Sequence, residues 1–273
     1  MSPFLFALFI DGLVDKAKLT NVGCYISRMC VNIFLYADDI LLLAPTVTAL
    51  QTLLAACEGE LTSLDMQLNV NKSSCIRFGP RFDANCECLI SVQGGLLLWT
   101  NRCKYLGVYL KSGRTVRCCF DHSKCQFYKA FNAIFSRVGR LASEEVVLNL
   151  LNVKCLPVLL YGVETCRMST HDKRSLEFTV TRTFMKLFRT GSVTVVRDCQ
   201  KFFCFLPIIN QIDIRTAKFL ETYLMSENHI CQLFSNRTQC ALTDIFLSYD
   251  SNINSSVNLR NVIFNSFLGD LSE

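Results

Sequence analysis

The chain has 273 residues, of which 51% are hydrophobic and 19% are charged. This is ample material for one large domain or two small ones, and apolar surface should be exposed wherever a partner domain is missing. Residues 113–190 hold thirteen basic and six acidic residues, or +7, whereas residues 1–112 sum to zero and residues 191–273 to −2, which gives the net charge of +5. The basic stretch fits either a surface that follows a phosphate backbone or a solvated helix surface rich in Lys and Arg.

Cysteine usage and the lack of targeting signals narrow the class of protein. The sixteen cysteines show no regular disulfide framework in a chain longer than a small secreted domain, and no CxxC pair occurs. We therefore expect free, buried thiols in a reducing compartment. Two groups lack zinc-finger spacing, although a metal site is the alternative there: Cys118, Cys119, His122 and Cys125, and His229, Cys231 and Cys240. The apolar N-terminus has no basic region, and no stretch reaches the roughly 18 apolar residues of a membrane span. We therefore expect an intracellular protein, nuclear or cytoplasmic, without a membrane partner.

The first predicted elements are a helix and a pair of strands. Residues 2–18 repeat apolar side chains with a helical period after Pro3, and a small turn follows at 21–24. Residues 31–44 contain two apolar runs, VNIFLYA and DDILLLA, which meet at two acids. This pattern predicts a hairpin with a tight, buried turn at Ala37, Asp38 and Asp39, covered on both faces.

The next segment predicts a helix that packs on the sheet, followed by more strands. Thr48 and Gln51 match a capping box, and apolar residues from 50 to 64 mark one face of a helix. Residues 66–79 predict a strand, a turn and another strand. Gly94 and Gly95 divide apolar runs over 85–100, which predicts a second hairpin, and residues 104–110 predict one further strand.

After residue 113 the hydrophobic period becomes helical. Residues 127–141 predict an amphipathic helix, Ser143 caps a second helix through 151, and Thr170 caps a third that ends before Gly191. Helical pieces follow from 192 onward, with a loop over 250–260. The predicted fold class is α+β, with an antiparallel sheet and packed helices followed by an all-helical region.

Asp38 and Asp39 are the residues that point most directly to chemistry. Like charges repel and burial disfavours ionised carboxylates, so such a pair persists most easily beside a divalent cation. Mg²⁺ prefers oxygen ligands, and phosphoryl-transfer enzymes use two such ions about 3.5–4 Å apart. Adjacent strand residues point to opposite faces, so a turn is needed to bring both carboxylates to one ion. The alternative is an ordinary, exposed Asp-Asp turn.

Six segments carry a resemblance to a known family, in that family's order. They are SPFLFALFIDGL, FLYADDILLLA, LDMQLNVNKSSCIRF, KYLGVYL, LPVLLYGVETC and TRTFMKLFR. They resemble the reverse transcriptases of non-LTR (LINE-type) retrotransposons, and YADD is similar to the catalytic motif of the family's palm. The resemblance covers about residues 1–190. It implies a partial palm with primer-grip strands over 1–112, a helical thumb over 113–191 and an unassigned helical tail over 192–273.

The resemblance implies an activity and a catalytic centre. The activity would be RNA-directed DNA synthesis by two-metal phosphoryl transfer, with an RNA template, a DNA primer and dNTP as partners. Asp38 and Asp39 would be the catalytic carboxylates and would bind the metal, Mg²⁺ or Mn²⁺. Tyr36 would lie near the primer end and the incoming nucleotide.

Further roles are implied for residues that match the family's later motifs. Lys72 would pair with triphosphate oxygens or donate a proton to the leaving pyrophosphate, and the alternative is a surface lysine at a strand end. Tyr105, Leu106 and Gly107 would belong to the primer grip. A glycine there has a physical reason, because only glycine lets a backbone approach so closely.

Three basic residues would meet nucleic acid in the thumb. Arg182, Lys186 and Arg189 are spaced by four and three, so on one helix they share a face. The resemblance implies that they meet phosphates of the template or product. A solvated helix face is the alternative for each of them.

The chain also departs from the family. The family's first catalytic aspartate lies in a strand before the SPxLF helix, and this chain begins at that helix; Asp11 and Asp15 match the helix and are no substitute. Asp65 stands where the family more often has Gly. With two of three carboxylates, we expect little or no polymerase activity from the chain alone. Alternatives are a non-catalytic remnant that binds nucleic acid and a relic frame without a stable product.

Overall fold

The computed structural model describes residues 3–139 and 141–269. The chain forms two compact units. Unit 1 comprises the chain up to Leu106 together with Leu110–Val116, and unit 2 comprises Gly107–Tyr109 together with the chain from Arg117 onward. Unit 1 combines helices with short strands, whereas the described part of unit 2 is mainly helical, so the predicted α+β class is confirmed.

Unit 1 is built from three helices and several two-stranded ribbons. The helices are α1 Pro3–Phe9, α2 Asp11–Leu19 and α3 Val47–Ser63. The strands are β1 Cys24–Ile26, β2 Met29–Val31, β3 Ile33–Tyr36, β4 Asp39–Leu42, β5 Leu89–Ile90, β6 Leu96–Leu97 and β7 Arg102–Tyr105. Three antiparallel pairs form, β1 with β2, β3 with β4 and β5 with β6. The predicted first helix is present in two pieces that meet at Ile10, and residue 2 lies outside the described residues.

Two small apolar clusters hold unit 1 together. In one, Leu13 of α2 packs with Cys57 and Leu61 of α3, against the inner side of the β3–β4 hairpin. In the other, Leu54 of α3 packs with Leu89 and other residues of the β5–β6 region. Helix α3 is therefore the element that both ribbons share, as predicted for a helix packed on a sheet.

The side chains of α3 also bond directly to the β5–β6 hairpin. The Gln51 amide donates to the Ile90 carbonyl at 2.7 Å and accepts from the Ile90 N–H at 2.9 Å. The buried Glu58 carboxylate accepts from the Ser91 hydroxyl and from the Val92 N–H. Gln51 is thus a packing residue and not part of a capping box.

The start of α3 differs from the prediction. Thr46 is the N-cap residue, and its hydroxyl accepts from the Ala49 N–H at 3.1 Å. The predicted cap, Thr48, lies inside the helix, where its carbonyl accepts from the Thr52 hydroxyl. The sequence offers two threonines within three residues, and the earlier one caps the helix because its backbone is extended, with φ of −135° and ψ of 159°.

One hairpin was not predicted, and one predicted pair of strands is wrong. Residues Ser27 and Arg28 form the turn between β1 and β2, with φ of 46° and 71°. Such a turn is usually signalled by Asn-Gly, which is absent. Residues 66–79 contain the predicted turn but no strand, since only Cys75 and Phe78 make single bridges, to Trp99 and Gly113.

Asp65 ends α3 in the left-handed conformation, with φ of 55°, and the Met66 N–H bonds to the Leu61 carbonyl at 2.8 Å. This is the helix ending that favours glycine. We therefore expect Asp65→Gly to stabilise unit 1 by roughly 0.5–1 kcal/mol, because glycine adopts this conformation without strain. Urea unfolding followed by circular dichroism measures the change. Asp15→Gly, inside α2, is the matched control and should destabilise by a similar amount; a loss of stability in both variants would contradict the prediction.

Strands β8 and β9 lead into the helices of unit 2. They are β8 Val108–Lys111 and β9 Arg117–Cys118, and β7, β8 and β9 follow one another in a three-stranded sheet. The helices are α4 Asp121–Val138, α5 Glu144–Leu150, α6 Leu156–Leu159, α7 Thr170–Leu187, α8 Val193–Phe202, α9 Ile208–Leu224, α10 His229–Leu233, α11 Ser235–Leu247 and α12 Ser256–Gly269. A π-helical turn spans Leu151–Cys155 and a 3₁₀ turn spans Val163–Thr165.

The main core of unit 2 extends past the predicted end of the thumb at residue 191. Phe127 and Phe131 of α4 are buried there, as their helical spacing predicted. The same cluster continues through α7 to Val196 of α8 and Ile212 of α9. A second cluster joins the later part of α9 to α11 and α12. The division into palm, thumb and tail stays a prediction.

The stretch Glu144–Thr165 is long and apolar enough to cross a membrane by length and composition alone. The expectation that no such stretch exists is therefore wrong. Core helices of folded domains pass the same test, and this stretch contributes eight residues to the unit 2 core. They are Val147, Leu148, Leu151, Cys155, Leu156, Leu159, Leu160 and Val163. Pro157 has no N–H to donate to residue 153, which accounts for the wide π turn before it.

Carboxylates from α7 and α9 satisfy the free N–H groups at the starts of later helices. Glu177 accepts from the Ile209 N–H at 3.1 Å at the start of α9. Burial raises the pKa of Glu177, and these N–H bonds oppose that rise. Glu221 accepts from the Ser256 N–H at 2.6 Å at the start of α12. A negative group at a helix start is favourable because the first N–H groups have no helical partner.

Candidate functional site

The Asp-Asp segment forms the predicted hairpin turn. Tyr36 is paired with Asp39 across the β3–β4 hairpin, so Ala37 and Asp38 are its two turn residues. Ala37 has a φ of 51°, a conformation that two-residue hairpin turns require. Behind the turn, the buried Asn32 side chain donates to the Ala17 carbonyl at 2.9 Å and so fixes β3 to the end of α2. The predicted hairpin is confirmed.

The burial expected for this turn is wrong. Tyr36, Ala37, Asp38 and Asp39 are all exposed, and Tyr36 has 65% of its surface accessible. The hairpin forms a two-stranded sheet, and Ile33 and Leu35 pack beneath it on α2 and α3. Because the carboxylates are hydrated, their mutual repulsion does not require a cation. The metal role of Asp38 and Asp39 therefore depends on family membership and not on burial.

The residues present fit a divalent cation only in part. Asp38 and Asp39 offer carboxylate oxygens, the ligands that Mg²⁺ prefers. Within residues 3–139 and 141–269, however, no group of three or more His, Cys, Asp or Glu side chains is placed to share a metal ion. This also holds for the two Cys/His groups, and all sixteen cysteines are free thiols. Two exposed carboxylates do not complete a metal site.

Tyr105 lies within electrostatic range of the Asp-Asp turn. It is half-buried at the end of β7. Burial raises the pKa of Tyr105, and the Asp39 carboxylate raises it further. The structure therefore brings together two of the predicted site residues, one from the catalytic motif and one from the primer grip. Sequence spacing alone did not predict this electrostatic proximity, since 66 positions separate the two residues.

Lys72 is exposed in a turn and not at a strand end. Its backbone N–H bonds to the Asn69 carbonyl at 3.1 Å and to the Asn69 side chain at 3.2 Å. Asn69 also accepts from the Ser73 hydroxyl through its carbonyl. The asparagine of the LNxxKS segment thus shapes the turn that carries the lysine. The catalytic role of Lys72 stays a prediction.

Residues 104–110 form a hairpin and not the single strand that was predicted. Leu106 and Gly107 are the turn residues between β7 and β8, with φ of 46° and 83°. Positive φ at both positions is the geometry that twisted hairpins favour. Glycine adopts it freely, whereas a branched residue such as Leu106 rarely does. The turn conformation is one reason for a glycine at 107.

The Tyr161-Gly162 segment supplies the second reason for a glycine at 107. A Cβ atom at Gly107 would lie 2.6 Å from a ring carbon of Tyr161, and one at Gly162 would lie 2.7 Å from a Val108 methyl. Gly162 also has a positive φ, of 69°. The Tyr161-Gly162 pair therefore packs directly on the Gly107-Val108 pair within unit 2. The close approach to Gly107 that the sequence suggested is made by a tyrosine ring of the same chain.

Two of the three basic residues predicted for the thumb lie on α7, and each has an aromatic ring nearby. The Lys186 ammonium donates to the Asn132 side chain at 2.8 Å and lies 5.0 Å from the centre of the Phe135 ring. The Arg182 guanidinium lies 6.0 Å from the centre of the Phe178 ring, one turn earlier on α7. Lys186 is thus held against α4, and Arg182 is exposed beside an aromatic side chain.

Arg189 does not lie on this helix, so the prediction of one shared face is wrong. Helix α7 ends at Leu187, and Arg189 follows in the left-handed conformation with φ of 52°. The Thr190 N–H bonds to the Met185 carbonyl at 3.1 Å, which closes the helix end before Gly191. The start is also shifted by one residue, since Ser169 and not Thr170 forms the capping box, with Asp172.

Comparison with known proteins places the Asp-Asp hairpin within a segment that matches a known family. The family of reverse transcriptases (RNA-dependent DNA polymerases) matches residues 1–110, which include the Asp-Asp hairpin, β7 and most of β8. Residues 1–110 belong to the reverse transcriptase family. This reverse transcriptase segment ends inside β8, so it lies mostly in unit 1.

The chain also resembles part of a retrotransposon protein. The chain is similar to the retrovirus-related Pol polyprotein from the type-2 retrotransposable element R2DM of Drosophila melanogaster, at 28% identity over 127 residues. The match covers 43% of this chain and 12% of that polyprotein, so the chain corresponds to a small part of its relative. Both findings support the predicted resemblance to a non-LTR reverse transcriptase.

Proposed function

We propose that this chain supplies the later half of a reverse transcriptase palm together with a helical thumb, and that alone it makes little or no DNA. The reaction to which it belongs is RNA-directed DNA synthesis, with an RNA template, a DNA primer and dNTP as partners. The observation that carries the proposal is the Asp38-Asp39 turn at the end of a two-stranded hairpin. The family match over residues 1–110 supports it.

The division of roles follows the positions of the side chains. Asp38 and Asp39 would bind Mg²⁺ or Mn²⁺, the class of ion that this family generally uses, and Tyr36 extends beside them into solvent. Tyr105, in electrostatic range of Asp39, would contact the primer end. Lys72 would neutralise phosphate oxygens of dNTP.

Weak activity follows from the ligand count. Preorganised charge supplies much of phosphoryl-transfer catalysis. Asp38 and Asp39 are hydrated, and the described part of the chain places no third carboxylate with them. With two carboxylates, the described part of the chain would hold a metal ion only weakly, so we expect little nucleotide transfer.

Primer extension on an RNA template tests this proposal. The purified chain, with labelled primer, dNTP and Mg²⁺ or Mn²⁺, should give no more product than a reaction without protein. Robust incorporation of dNTP would contradict the proposal of inactivity. Binding of the same primer and template, measured by fluorescence anisotropy, should be retained, because it depends on charge and not on the metal ligands.

Asp38→Ala distinguishes a polymerase from a binding protein. Any trace of extension above background should disappear, whereas binding of primer and template should stay within about twofold, since no phosphate contact is lost. Asp83→Ala, an exposed turn aspartate of unit 1, is the matched control and should change neither property. Trace extension that survives Asp38→Ala would mean that Asp38 is not a catalytic carboxylate.

The second candidate function is binding of nucleic acid without chemistry. The observation that favours it is the basic excess of residues 113–190, together with the exposed Arg182. Affinity should fall as salt rises, with a slope of log K against log salt near −0.7 for each phosphate of a single strand that is neutralised. Salt-sensitive binding without any synthesis in the full polymerase context would favour this candidate.

A further inference from the structure

Helices α4 and α7 of unit 2 line an open groove beside the predicted site residues Arg182 and Lys186. Its volume is about 530 Å³. The α4 wall presents Lys124, Tyr128, Lys129 and Asn132, and the α7 wall presents Ser175 and Phe178. Binding clefts for small ligands and single nucleotides commonly have volumes of this order.

Two hydrogen bonds between the walls fix the width of the groove. At one end, the Lys124 ammonium donates to the Ser175 hydroxyl at 3.1 Å. At the other end, the Lys186 ammonium donates to the Asn132 side chain at 2.8 Å. These bridges are eight residues apart on α4, or about 12 Å along the helix. A groove held open in this way needs little reorganisation before a ligand enters.

The chemistry of the groove combines one aromatic ring with positive charge. Phe178 is 56% exposed, although the apolar side chains on the core-facing side of α7 are buried. Arg182 lies at one side of its ring, and Lys129 is exposed on the opposite wall. The one acidic residue among those lining the groove, Asp121, is paired with Lys124 at 2.9 Å. The groove therefore has an excess of positive charge around an apolar platform.

We propose that this groove binds single-stranded nucleic acid, with one base stacked on the Phe178 ring and the flanking phosphates held by Lys129 and Arg182. Aromatic platforms inside basic grooves bind single strands in this way, because every base has a π-face. A duplex keeps its bases stacked inside, so it offers nothing to the ring. The inference rests on the proposed function for one point only, namely that the ligand is a nucleic acid.

Fluorescence anisotropy with the full chain tests the proposal. The probe is a fluorescein-labelled RNA roughly 12 nucleotides long, a length within known single-strand site sizes, compared with a duplex of the same length. The unmodified chain should prefer the single strand. Phe178→Ala should weaken single-strand binding about tenfold, and Phe178→Trp should retain it. Lys129→Ala should weaken binding and make the slope of log K against log salt shallower by about 0.7.

Matched variants and a second measurement keep the proposal falsifiable. Phe202→Ala removes another exposed phenylalanine of unit 2, and Lys154→Ala another exposed lysine; neither lies in the groove, and both should bind normally. Photocrosslinking of the unmodified chain to an iodouracil-labelled strand should map to the peptide that contains Phe178. Equal binding by Phe178→Ala and Phe202→Ala, a preference for duplex, or a crosslink outside α4 and α7 would overturn the proposal. DNA synthesis by the chain alone would refute the proposed inactivity and leave the groove unaffected.

Discussion

Phe184→Ala is expected to destabilise unit 2 by about 3–5 kcal/mol, the range for truncating a fully buried phenylalanine. Phe184 has no exposed surface, and its ring lies 4.9 Å from the Phe205 ring and 5.9 Å from the Phe188 ring. The alanine leaves a cavity between α7 and the segment after α8. Urea unfolding followed by circular dichroism at helix wavelengths measures the loss as a lower midpoint.

Phe178→Ala is the matched control because it removes the same side chain from the same helix. Phe178 is more than half exposed, so its truncation should cost less than about 1 kcal/mol. The same variant weakens single-strand binding in the groove test, which separates binding from stability on one helix. Equal destabilisation by the two variants would show that the α7 core is not packed as described.

Gly107→Ala is expected to destabilise unit 2 by about 3 kcal/mol, through two effects. The residue has a φ of 83°, where an alanine is strained, and the new methyl would lie 2.6 Å from the Tyr161 ring. The ring must move or the turn must open, so the β7–β8 hairpin loses its shape. Chemical unfolding and protease sensitivity at residues 105–109 both report this change.

Gly94→Ala isolates the contribution of the tyrosine. Gly94 has nearly the same φ, 82°, but no atom lies within 4 Å of the position of its added methyl. It should therefore cost only the backbone strain, about 1–2 kcal/mol. In a double variant that combines Gly107→Ala with Tyr161→Ala, the free energy of unfolding should recover by the difference between the two glycine variants. If Tyr161→Ala gives no such recovery, the packing of the Tyr161-Gly162 pair on the turn does not restrict this position.

Local patterns predicted most helices and hairpins, and they failed where the usual signal residue is absent. Alternating apolar residues around two acids predicted the β3–β4 hairpin, and helical spacing predicted the buried face of α4. Helix ends were less predictable. The left-handed residues that end α3 and α7 are Asp65 and Arg189, neither of them glycine. Their conformation is stabilised by hydrogen bonds back to the helix, which sequence does not display.

Hairpin turns also depend on interactions that the local sequence does not show. Leu106-Gly107 and Ser27-Arg28 both adopt positive φ without an Asn-Gly signal. A leucine or serine tolerates this strain only because flanking strand pairs compensate for it. For that reason, KYLGVYL reads as one continuous strand although it folds back on itself.

The sequence by itself determined the family, the α+β class and the position of the Asp-Asp turn, because these depend on residue types at short spacing. Tertiary structure decided three further properties: the exposure of Asp38 and Asp39, the approach of Tyr105 to Asp39, and the packing of Tyr161 on Gly107. Each depends on how distant segments meet. Local periodicity specifies which face of an element is apolar, but it does not specify which other element covers that face or leaves it in water.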